Sequence, residues 1–566
     1  MGGGSFVWWV TAESLPAVAG GPPVIPPSRG AKSSKALRRG FGTALEQGSG
    51  VFACVHTGSL SGVTAHDVAV EVSAVRGLPG FELVGLPEAA VRESRVRVAA
   101  ALRNSDFALP ERRFVVNLAP ADLRKSGASF DLAIAVALLA ACGLCAPNLL
   151  SETLLLGELS LDGRLRSCRG VLAQLRRAQQ RGLRSAIVAE EDAQWACLVP
   201  NLRVFVAAHL SHVIRFLNGV GELTRVEASG VVGPPSTGPD MRDVQGQRVA
   251  RRALELAAAG GHNLLMFGPP GAGKTMLARR LGGLLPPPDP SLRLEFATIA
   301  SVGGHLGDEL LSGGRPFRAP HHTCSHAALV GGGTPVRPGE VTLAHGGVLF
   351  LDELPEFRRD VLEALRPTME SGVAEVVRVR ERVRMPAAPL VVAAMNPCPC
   401  GYLGDDKRIC RCTPDQVRRY RARVSGPLLD RFDMHVALPR IEARELHGST
   451  EVEGSAAIAA RTALAAGRLA AAERACPADN LQALCGYASA DALSLVHRGM
   501  DRLGLSLRAY AKILRVARTI AALDDRDEVG RADVAEAIQY RRLDRSDETP
   551  KFIGHVAPKT PTEGRA

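Results

Sequence analysis

Apolar and polar residues follow two different periods over residues 51–225 of the chain. The runs DVAVEVSAV and RRFVVNLAP alternate at every second residue, which predicts half-buried β-strands. The stretch between them, PEAAVRESRVRVAAALRNS, has apolar residues at helical spacing, and the later FDLAIAVALLAACG is typical of a buried helix. Strands and helices that alternate in this way predict an α/β or α+β domain over this part of the chain.

A second series of elements begins after a Gly- and Pro-rich stretch, which predicts a linker over residues 226–242. The pattern that follows is helix, strand, glycine-rich loop and helix, which is the opening of a nucleotide-binding α/β unit. Two later apolar runs, GGVLFLDE and APLVVAAMN, predict further buried strands of this unit. We therefore predict an α/β core over residues 243–450.

The last part of the chain is Ala-rich, and its pattern is helical. SLRAYAKILRVARTIAAL has apolar residues at helical spacing, which predicts a separate α-helical lid over residues 451–545. Neither end of the chain has a period long enough to predict an element. We expect residues 1–50 to be a disordered extension, or to precede the true start of the protein, and residues 546–566 to be a flexible tail.

The composition is that of a folded protein with several domains, because 566 residues are too many for one hydrophobic core. The formal net charge of +11 favours polyanionic partners, although an Arg-rich composition alone also produces basic proteins. The 12 cysteines are too sparse for the disulfide framework of a small secreted domain. No basic n-region precedes the apolar piece Phe6–Val10, and no apolar run is long enough to span a membrane. We expect a cytoplasmic protein without a membrane partner.

The clearest chemical signal is the loop GPPGAGKT, which lies between the predicted strand NLLMF and the predicted helix MLARRL. It matches the phosphate-binding pattern GxxxxGK[ST] in the context that this pattern requires. Glycines let backbone amides turn towards phosphates, while Lys274 would neutralise phosphate oxygens and Thr275 would bind Mg²⁺. The sequence therefore predicts an ATP site formed by Gly268, Pro269, Pro270, Gly271, Ala272, Gly273, Lys274 and Thr275.

Polar residues end the two later strands of the core. Asp352 would orient Mg²⁺, and Glu353 would polarise the attacking water, which are the roles that phosphoryl transfer requires. Asn396 follows the next strand and could position that water, although an Asn before a proline also caps turns. Without the glycine loop, an apolar run that ends in Asp-Glu would more often be an ordinary strand end.

Four cysteines crowd into a short stretch after Asn396. They form the pattern CxCx9CxC, which provides enough thiolates for a closed tetrahedral Zn²⁺ site. The spacing differs from the usual CxxC, and four free cysteines in a reduced loop are the alternative. The zinc hypothesis concerns Cys398, Cys400, Cys410 and Cys412.

Longer phrases of the sequence resemble the YifB/ComM family of magnesium-chelatase-like AAA+ proteins. They extend from about residue 51 to residue 545 and include VVNLAPADLRKSGASFDLAIA, RPFRAPHHTCSHAALVGGG, LAHGGVLFLDELPEF, AAMNPCPCGYLGD and SGPLLDRFDMHV. The resemblance implies an α/β multidomain ATPase that forms a homo-hexamer, with a Lon-protease-like N-terminal domain, a P-loop AAA+ core and a chelatase-type lid. ComM-type members promote branch migration of DNA during natural transformation, so single-stranded or branched DNA is the implied partner.

Several residues match positions with known roles in that family. Arg431 in LLDRFD resembles the arginine finger that reaches a neighbouring subunit's site, and an ordinary surface arginine is the alternative. Arg508 resembles the lid's sensor arginine, at the start of a helix packed over the nucleotide, with Arg515 as the competing residue. We interpret His321 and His322 as structural or subunit-contact residues before metal ligands.

Between the Asp-Glu strand and the Asn396 strand, the resemblance implies a hairpin that faces the pore of the ring. Its arginines alternate with other residues, so an extended segment would place them on a shared face that could follow a phosphate backbone. A solvated charged hairpin is the alternative. The candidate DNA contacts are Arg378, Arg380, Arg382 and Arg384.

The N-terminal domain raises proteolysis as a rival function. Ser129 in SGASFD matches the nucleophile of Lon-type proteases, but Leu172 stands near the position of the partner lysine. A serine without a base in hydrogen-bond reach is not an activated nucleophile. The leading hypothesis is a DNA-remodelling motor, and the alternative is a chelatase-like motor that remodels a protein partner, which the Lon-like domain disfavours.

Overall fold

The computed structural model describes residues 52–75, 77–227, 238–304, 314–378, 381–405, 407–440, 452–475, 481–541 and 543. The expectations for residues 1–50 and 546–566, and most of the linker, lie outside these residues, as does Arg380. In the described part of the chain, no helix is both long and apolar enough to cross a membrane. The fold is mixed α/β with several domains, and it contains a large parallel sheet.

The first domain is built on an eight-stranded mixed sheet with the strand order β10-β9-β8-β5-β1-β2-β4-β3. The expected alternation of β2 and β4 is confirmed, because the two strands pair antiparallel and their apolar residues face one core. A separate short hairpin joins β6 and β7. The strands are β1 Phe52–Ser61, β2 Thr64–Val75, β3 Gly80–Val84, β4 Arg113–Ala119, β5 Thr153–Leu155, β6 Glu158–Leu159, β7 Leu165–Arg166, β8 Ser185–Ala189, β9 Arg203–Ala207 and β10 Thr224–Val226.

Five helices cover this sheet. The run FDLAIAVALLAACG forms α2, whose residues are almost all buried, so its uniformly apolar sequence reflects a position inside the core rather than at its surface. The helix α3 is amphipathic and presents its apolar side to a second buried cluster. The helices are α1 Ala89–Asn104, α2 Asp131–Ala141, α3 Val171–Arg181, α4 Ala193–Ala196 and α5 Leu210–Leu217.

The second domain contains a five-stranded parallel sheet with the order β12-β15-β18-β11-β19. Alternate residues of β11 enter buried clusters on opposite faces, Leu264 and Met266 on one and Leu265 and Phe267 on the other. A strand buried on both faces is uniformly apolar, as parallel sheets between helices require. The strands are β11 Leu264–Phe267, β12 Phe317–Arg318, β13 Gly331–Gly332, β14 Arg337–Pro338, β15 Val348–Leu351, β16 Val373–Arg378, β17 Glu381–Pro386, β18 Leu390–Met395 and β19 Met434–Ala437.

Helices of this domain connect and flank the strands. The helix α7 follows the glycine-rich loop, and α11 follows the strand that carries Asp352. Both helices bury an apolar side against the sheet. The helices are α6 Arg248–Gly260, α7 Lys274–Leu281, α8 Pro290–Gly303, α9 His326–Leu329, α10 Glu340–Leu343, α11 Arg359–Ser371, α12 Pro414–Arg421 and α13 Gly426–Leu429.

The described residues of the C-terminal part form helices, and these helices share the core of the second domain. Apolar residues of α17, such as Ile513 and Ile520, belong to the same buried cluster as Leu264 in the parallel sheet and Leu254 in α6. The apolar stripe of α17 therefore serves the core of the second domain. The helices are α14 Ser455–Ala475, α15 Leu481–Gly486, α16 Ala490–Leu503, α17 Leu507–Leu523 and α18 Arg531–Gln539.

The first domain contacts the second at two places. The amide of Gly170 donates to the carbonyl of Ser301 at 3.1 Å, which joins the start of α3 to α8. The turn between β1 and β2 places Val63 against Val383 and Met385 of the hairpin formed by β16 and β17. A side chain at position 62 would reach within 2.4 Å of Val383, so this turn and the hairpin pack closely.

Candidate functional site

The glycine-rich loop connects the carboxyl end of β11 to the first residue of α7. Gly271 and Gly273 have left-handed φ angles of 80° and 87°, which other residues rarely adopt. At Gly268 a Cβ would lie 2.4 Å from the carbonyl oxygen of Leu438, so only glycine fits there. No side chain caps the N-terminus of α7, so its first amides are available to an anion. The loop fits a nucleotide phosphate.

Lys274 lies within this loop and faces the end of β18. Its Nζ donates to the carbonyl oxygens of Gly268 and Pro269 at 2.8 and 3.1 Å, and to Oδ1 of Asn396 at 3.0 Å. Burial lowers the pKa of Lys274 from its usual value, and the nearby carboxylates of the Asp-Glu pair oppose this shift. The structure therefore brings the predicted lysine and the predicted asparagine together at one edge of the sheet.

Asp352 joins the loop to the end of β15. The Thr275 hydroxyl donates to its Oδ2 at 2.8 Å, and the amide of Glu353 donates to its Oδ1 at 2.9 Å. A hydroxyl beside a carboxylate offers the oxygen ligands that Mg²⁺ prefers. Glu353 has a left-handed φ of 52°, and its side chain is 54% exposed. The donor set fits Mg²⁺, and Glu353 lies next to it.

A histidine that the sequence interpretation left outside the site contacts Glu353. The Nδ1 atom of His322 lies 3.2 Å from Oε2 of Glu353. His322 follows β12, which pairs in parallel with β15, so both residues emerge at the same edge of the sheet. The signal available in the sequence was the phrase RPFRAPHH, but it does not indicate that β12 and β15 are neighbours.

Arg431 and Arg508 lie together, but away from the loop. Burial and the positive charges of Arg508 and Arg366 lower the pKa of Arg431, which forms an ion pair with Glu370. Arg431 precedes β19, whose first residue pairs with the first residue of β11, whereas the loop follows the last residue of β11. Arg431 therefore lies at the amino edge of the sheet, and the charge of Arg508 acts on it there. Lys512, on the same helix as Arg508, binds Asp433 at this amino edge, with a separation of 3.0 Å.

The predicted hairpin is present, but its arginines do not share one face. The turn falls after Arg378, which pairs with Glu381, so Arg378 points to the opposite face from Arg382 and Arg384. Arg378 donates to Thr334 at 2.9 Å, whereas Arg382 binds Glu375 at 2.5 Å and Arg384 lies 4.0 Å from the same carboxylate. The expectation of a common basic face was wrong because it did not place the turn. Arg380 lies outside the described residues.

The four predicted cysteines converge. Their Sγ atoms all lie within 4.8 Å of one another, and three of the separations are 3.4, 3.6 and 3.6 Å. Thiolates at the corners of a tetrahedral Zn²⁺ site lie about 3.8 Å apart, given Zn–S bonds of about 2.3 Å. The cluster is compatible with zinc. A Cβ at Gly401, inside this loop, would lie 2.6 Å from Pro270, so the cysteine loop rests on the phosphate loop.

The serine position of the rival protease function lies in the first domain. Ser129 is 7% exposed, and Leu172 is fully buried in the apolar cluster under α3. Leucine cannot accept or donate a proton, so this position supplies no base to Ser129. The arrangement gives no support to proteolysis.

Three family descriptions match this chain. "Subunit ChlI of Mg-chelatase" matches residues 70–192, "Magnesium chelatase, subunit ChlI" matches residues 240–446, and "Magnesium chelatase, subunit ChlI C-terminal" matches residues 448–541. The central match contains the phosphate loop, the Asp-Glu pair, the hairpin and the four cysteines. This family has the AAA+ ATPase fold.

Relatives match over nearly their whole length. The "Uncharacterized protein YifB" of Salmonella typhimurium is 44% identical over 503 residues, which are 87% of this chain and 97% of the relative. The "Competence protein ComM" of Haemophilus influenzae is 42% identical over 504 residues, with the same coverage of both chains. Identity at this level over most of both chains establishes common descent, and the chain belongs to the YifB/ComM family of magnesium-chelatase-like AAA+ proteins.

Proposed function

We propose that this protein is an ATP-hydrolysing motor that assembles as a homo-hexamer and moves DNA strands, in the cytoplasm. The observation that carries the ATPase assignment is the pair of contacts from Lys274 to Asn396 and from Thr275 to Asp352. They join residues separated by 122 and 77 positions in the sequence, and this meeting of the glycine-rich loop with Asp352 and Asn396 at one edge of the sheet supports the assignment.

Each residue of this edge has a role in phosphoryl transfer. Lys274 exchanges its carbonyl partners for phosphate oxygens, and the amides at the start of α7 bind the same anion. Thr275 and Asp352 hold Mg²⁺, which neutralises charge at the phosphates when bound. Glu353 polarises the attacking water, and Asn396 positions it next to the terminal phosphate.

The positions of Arg431 and Arg508 support an assembly in which one subunit completes the site of the next. Arg431 lies near the sheet edge opposite to the phosphate loop of its own chain, and the charge of Arg508 is close enough to lower the pKa of Arg431. In a ring, that edge meets the loop of a neighbour, and Arg431 supplies positive charge in trans. The helices over residues 455–539 act as a chelatase-type lid, with Arg508 or Arg515 as its sensor.

DNA is the partner that the relatives and the charge favour. A relative of matching length is named a competence protein, which connects this family to the uptake of DNA. The hairpin offers Arg382 and Arg384 on one exposed face, where phosphate contacts would not depend on base sequence. A Lon-protease-like first domain without proteolytic activity completes the motor. A chelatase-like motor that remodels a protein is the alternative.

The test compares two variants of the nucleotide site. We expect Lys274→Ala to lose ATP binding, because the phosphate charge is no longer neutralised. We expect Glu353→Gln to bind ATP but to hydrolyse it at least about 100-fold more slowly, because the water is not activated. Binding is measured with a fluorescent ATP analogue, and hydrolysis is measured with and without single-stranded and branched DNA. A wild-type ATPase rate that ignores every DNA would favour the protein-remodelling alternative.

We also propose that the cysteine cluster holds one structural Zn²⁺. Elemental analysis of the purified protein should find about one zinc per chain, and Cys410→Ser with Cys412→Ser should remove it. Cys324→Ser is the matched control, because this cysteine lies outside the cluster. Because Gly401 rests on Pro270, the loss of zinc should also weaken ATP binding. Zinc-free protein in which all four thiols react freely would contradict the site.

A further inference from the structure

His322 is held beside the carboxylate of Glu353 by neighbours on two sides. Its Nδ1 atom lies 3.2 Å from Oε2 of Glu353. The ring of His321 lies at a centroid distance of 4.1 Å and is tilted by 33°, and the ring of Phe357 makes a T-shaped contact at 6.4 Å. A ring between two others has few alternative positions, so the contact with Glu353 is a fixed feature of the loop.

The fold anchors the chain that carries this histidine. The strand β12 pairs with β15, which ends next to Glu353. Arg318, the last residue of β12, binds Glu340 through two hydrogen bonds of 2.6 and 2.8 Å. On the other side, Nδ1 of His321 lies 2.8 Å from the Thr323 hydroxyl. These contacts fix the segment immediately before and after His322.

The carboxylate of Glu353 needs a neighbouring side chain that fixes its position. Its backbone has a φ of 52°, and its side chain is 54% exposed, so packing does not fix the carboxylate. A general base acts only when it is held within hydrogen-bond reach of the proton that it accepts. A carboxylate has two oxygens, so one can accept a hydrogen bond from a neighbour while the other faces the water.

We propose that His322 is a positioning residue for hydrolysis: its Nδ1–H donates to Oε2 of Glu353 and leaves Oε1 to polarise the attacking water. His322 does not touch ATP in this role, and it acts only through Glu353. The inference rests on the proposed hydrolysis at Glu353, and it does not depend on DNA as the partner.

The first measurement is steady-state ATPase without DNA. His322→Ala should lower kcat about 10-fold, which corresponds to about 1.4 kcal/mol of transition-state stabilisation, and should leave the KM for ATP nearly unchanged. His322→Asn should restore most of the rate, because the asparagine amide nitrogen takes the place of Nδ1. His322→Gln should not, because its amide reaches the position of Nε2. His326→Asn is the matched control, since this exposed histidine lies on the same segment in α9.

The second measurement separates positioning from general damage to the loop. His322→Ala in a Glu353→Gln background should cause no further loss, because residues that act through one group are non-additive. The proposal is overturned if His322→Ala keeps the wild-type kcat, if the Asn and Gln variants behave alike, or if the two losses multiply. A Glu353→Gln enzyme with the wild-type rate would instead overturn the proposed role of Glu353, and with it this inference.

Discussion

Asp192 illustrates how burial changes the chemistry of a single residue. This carboxyl group is 3% exposed and accepts a hydrogen bond of 2.6 Å from the Ser167 hydroxyl. Burial raises the pKa of Asp192 from 3.8 to about 6, although the Ser167 contact opposes the shift. The folded chain therefore holds a proton on Asp192 at pH values where the unfolded chain has released it.

We expect this group to make the first domain less stable as the pH rises. Its contribution is fully present below about pH 4 and is lost as the pH passes through about 6, with a total of about 3 kcal/mol. Asp192→Asn removes the titration, so the difference in urea midpoint between the wild type and this variant should change across that window. Trp195, which is buried nearby, reports the unfolding. Asp162→Asn is an exposed control, and parallel pH profiles for wild type and Asp192→Asn would contradict the argument.

The sequence predicted the chemistry of single residues only where a motif carried it. The spacing of GPPGAGKT predicted roles for Lys274 and Thr275, and the structure brings the two residues into contact with Asn396 and Asp352 at the strand ends. The contact of His322 with Glu353 could not be predicted in this way. It depends on the order of strands in the sheet, and local patterns of apolar residues do not specify which strands are neighbours.

The hairpin of β16 and β17 shows the same limit at the scale of an element. The family resemblance implied that the hairpin exists, but it did not give the position of the turn, and the turn decides which arginines share a face. Glu375 occupies the face of Arg382 and Arg384 and partly neutralises it. The basic surface of the hairpin is therefore smaller than its sequence indicates.

This geometry predicts opposite effects from two changes on one face. Replacing Arg382 and Arg384 with Gln should weaken DNA binding and flatten the log-log salt slope by about 0.7 for each lost phosphate contact. Glu375→Gln should strengthen binding and steepen the slope, because it frees both arginines. Arg378→Gln is the control on the opposite face. Binding is measured by fluorescence anisotropy of single-stranded DNA over a range of salt, and three indistinguishable variants would exclude this face as a DNA contact.

At the scale of the whole molecule, the edge of the sheet on which an arginine lies decides which phosphate loop it can contact. The family resemblance identified Arg431 and Arg508 as candidates, and the strand register places Arg431, on which the charge of Arg508 acts, near the edge away from the phosphate loop. The resemblance could not show this, because a motif does not specify the edge of a sheet on which a side chain emerges. In the proposed ring, each chain would depend on its neighbour for activity.

Mixed assemblies test that dependence. When Arg431→Ala chains are mixed with Lys274→Ala chains at fixed total protein, ATPase activity should reappear, because the intact Arg431 of a Lys274→Ala chain completes the intact phosphate loop of its Arg431→Ala neighbour. Arg498→Ala, an exposed arginine on α16, should reduce nothing. The measurement is the hydrolysis rate against the mixing ratio after subunit exchange. A mixture no more active than the two separate variants would show that Arg431 does not act in trans.

The turn at Gly62 and Val63 has a consequence for how this chain can be divided. It covers the apolar underside of the hairpin, where Val383 and Met385 are buried against it. A fragment that begins at the linker would therefore expose this apolar surface of the hairpin. The same hairpin carries the proposed DNA contacts, Arg382 and Arg384. The linker makes the two domains look separable in the sequence. In the structure, however, Val63 of the first domain packs against apolar side chains of the hairpin in the second domain. Replacement of the first domain during evolution would have to preserve this turn as well as the contact of Gly170 with Ser301.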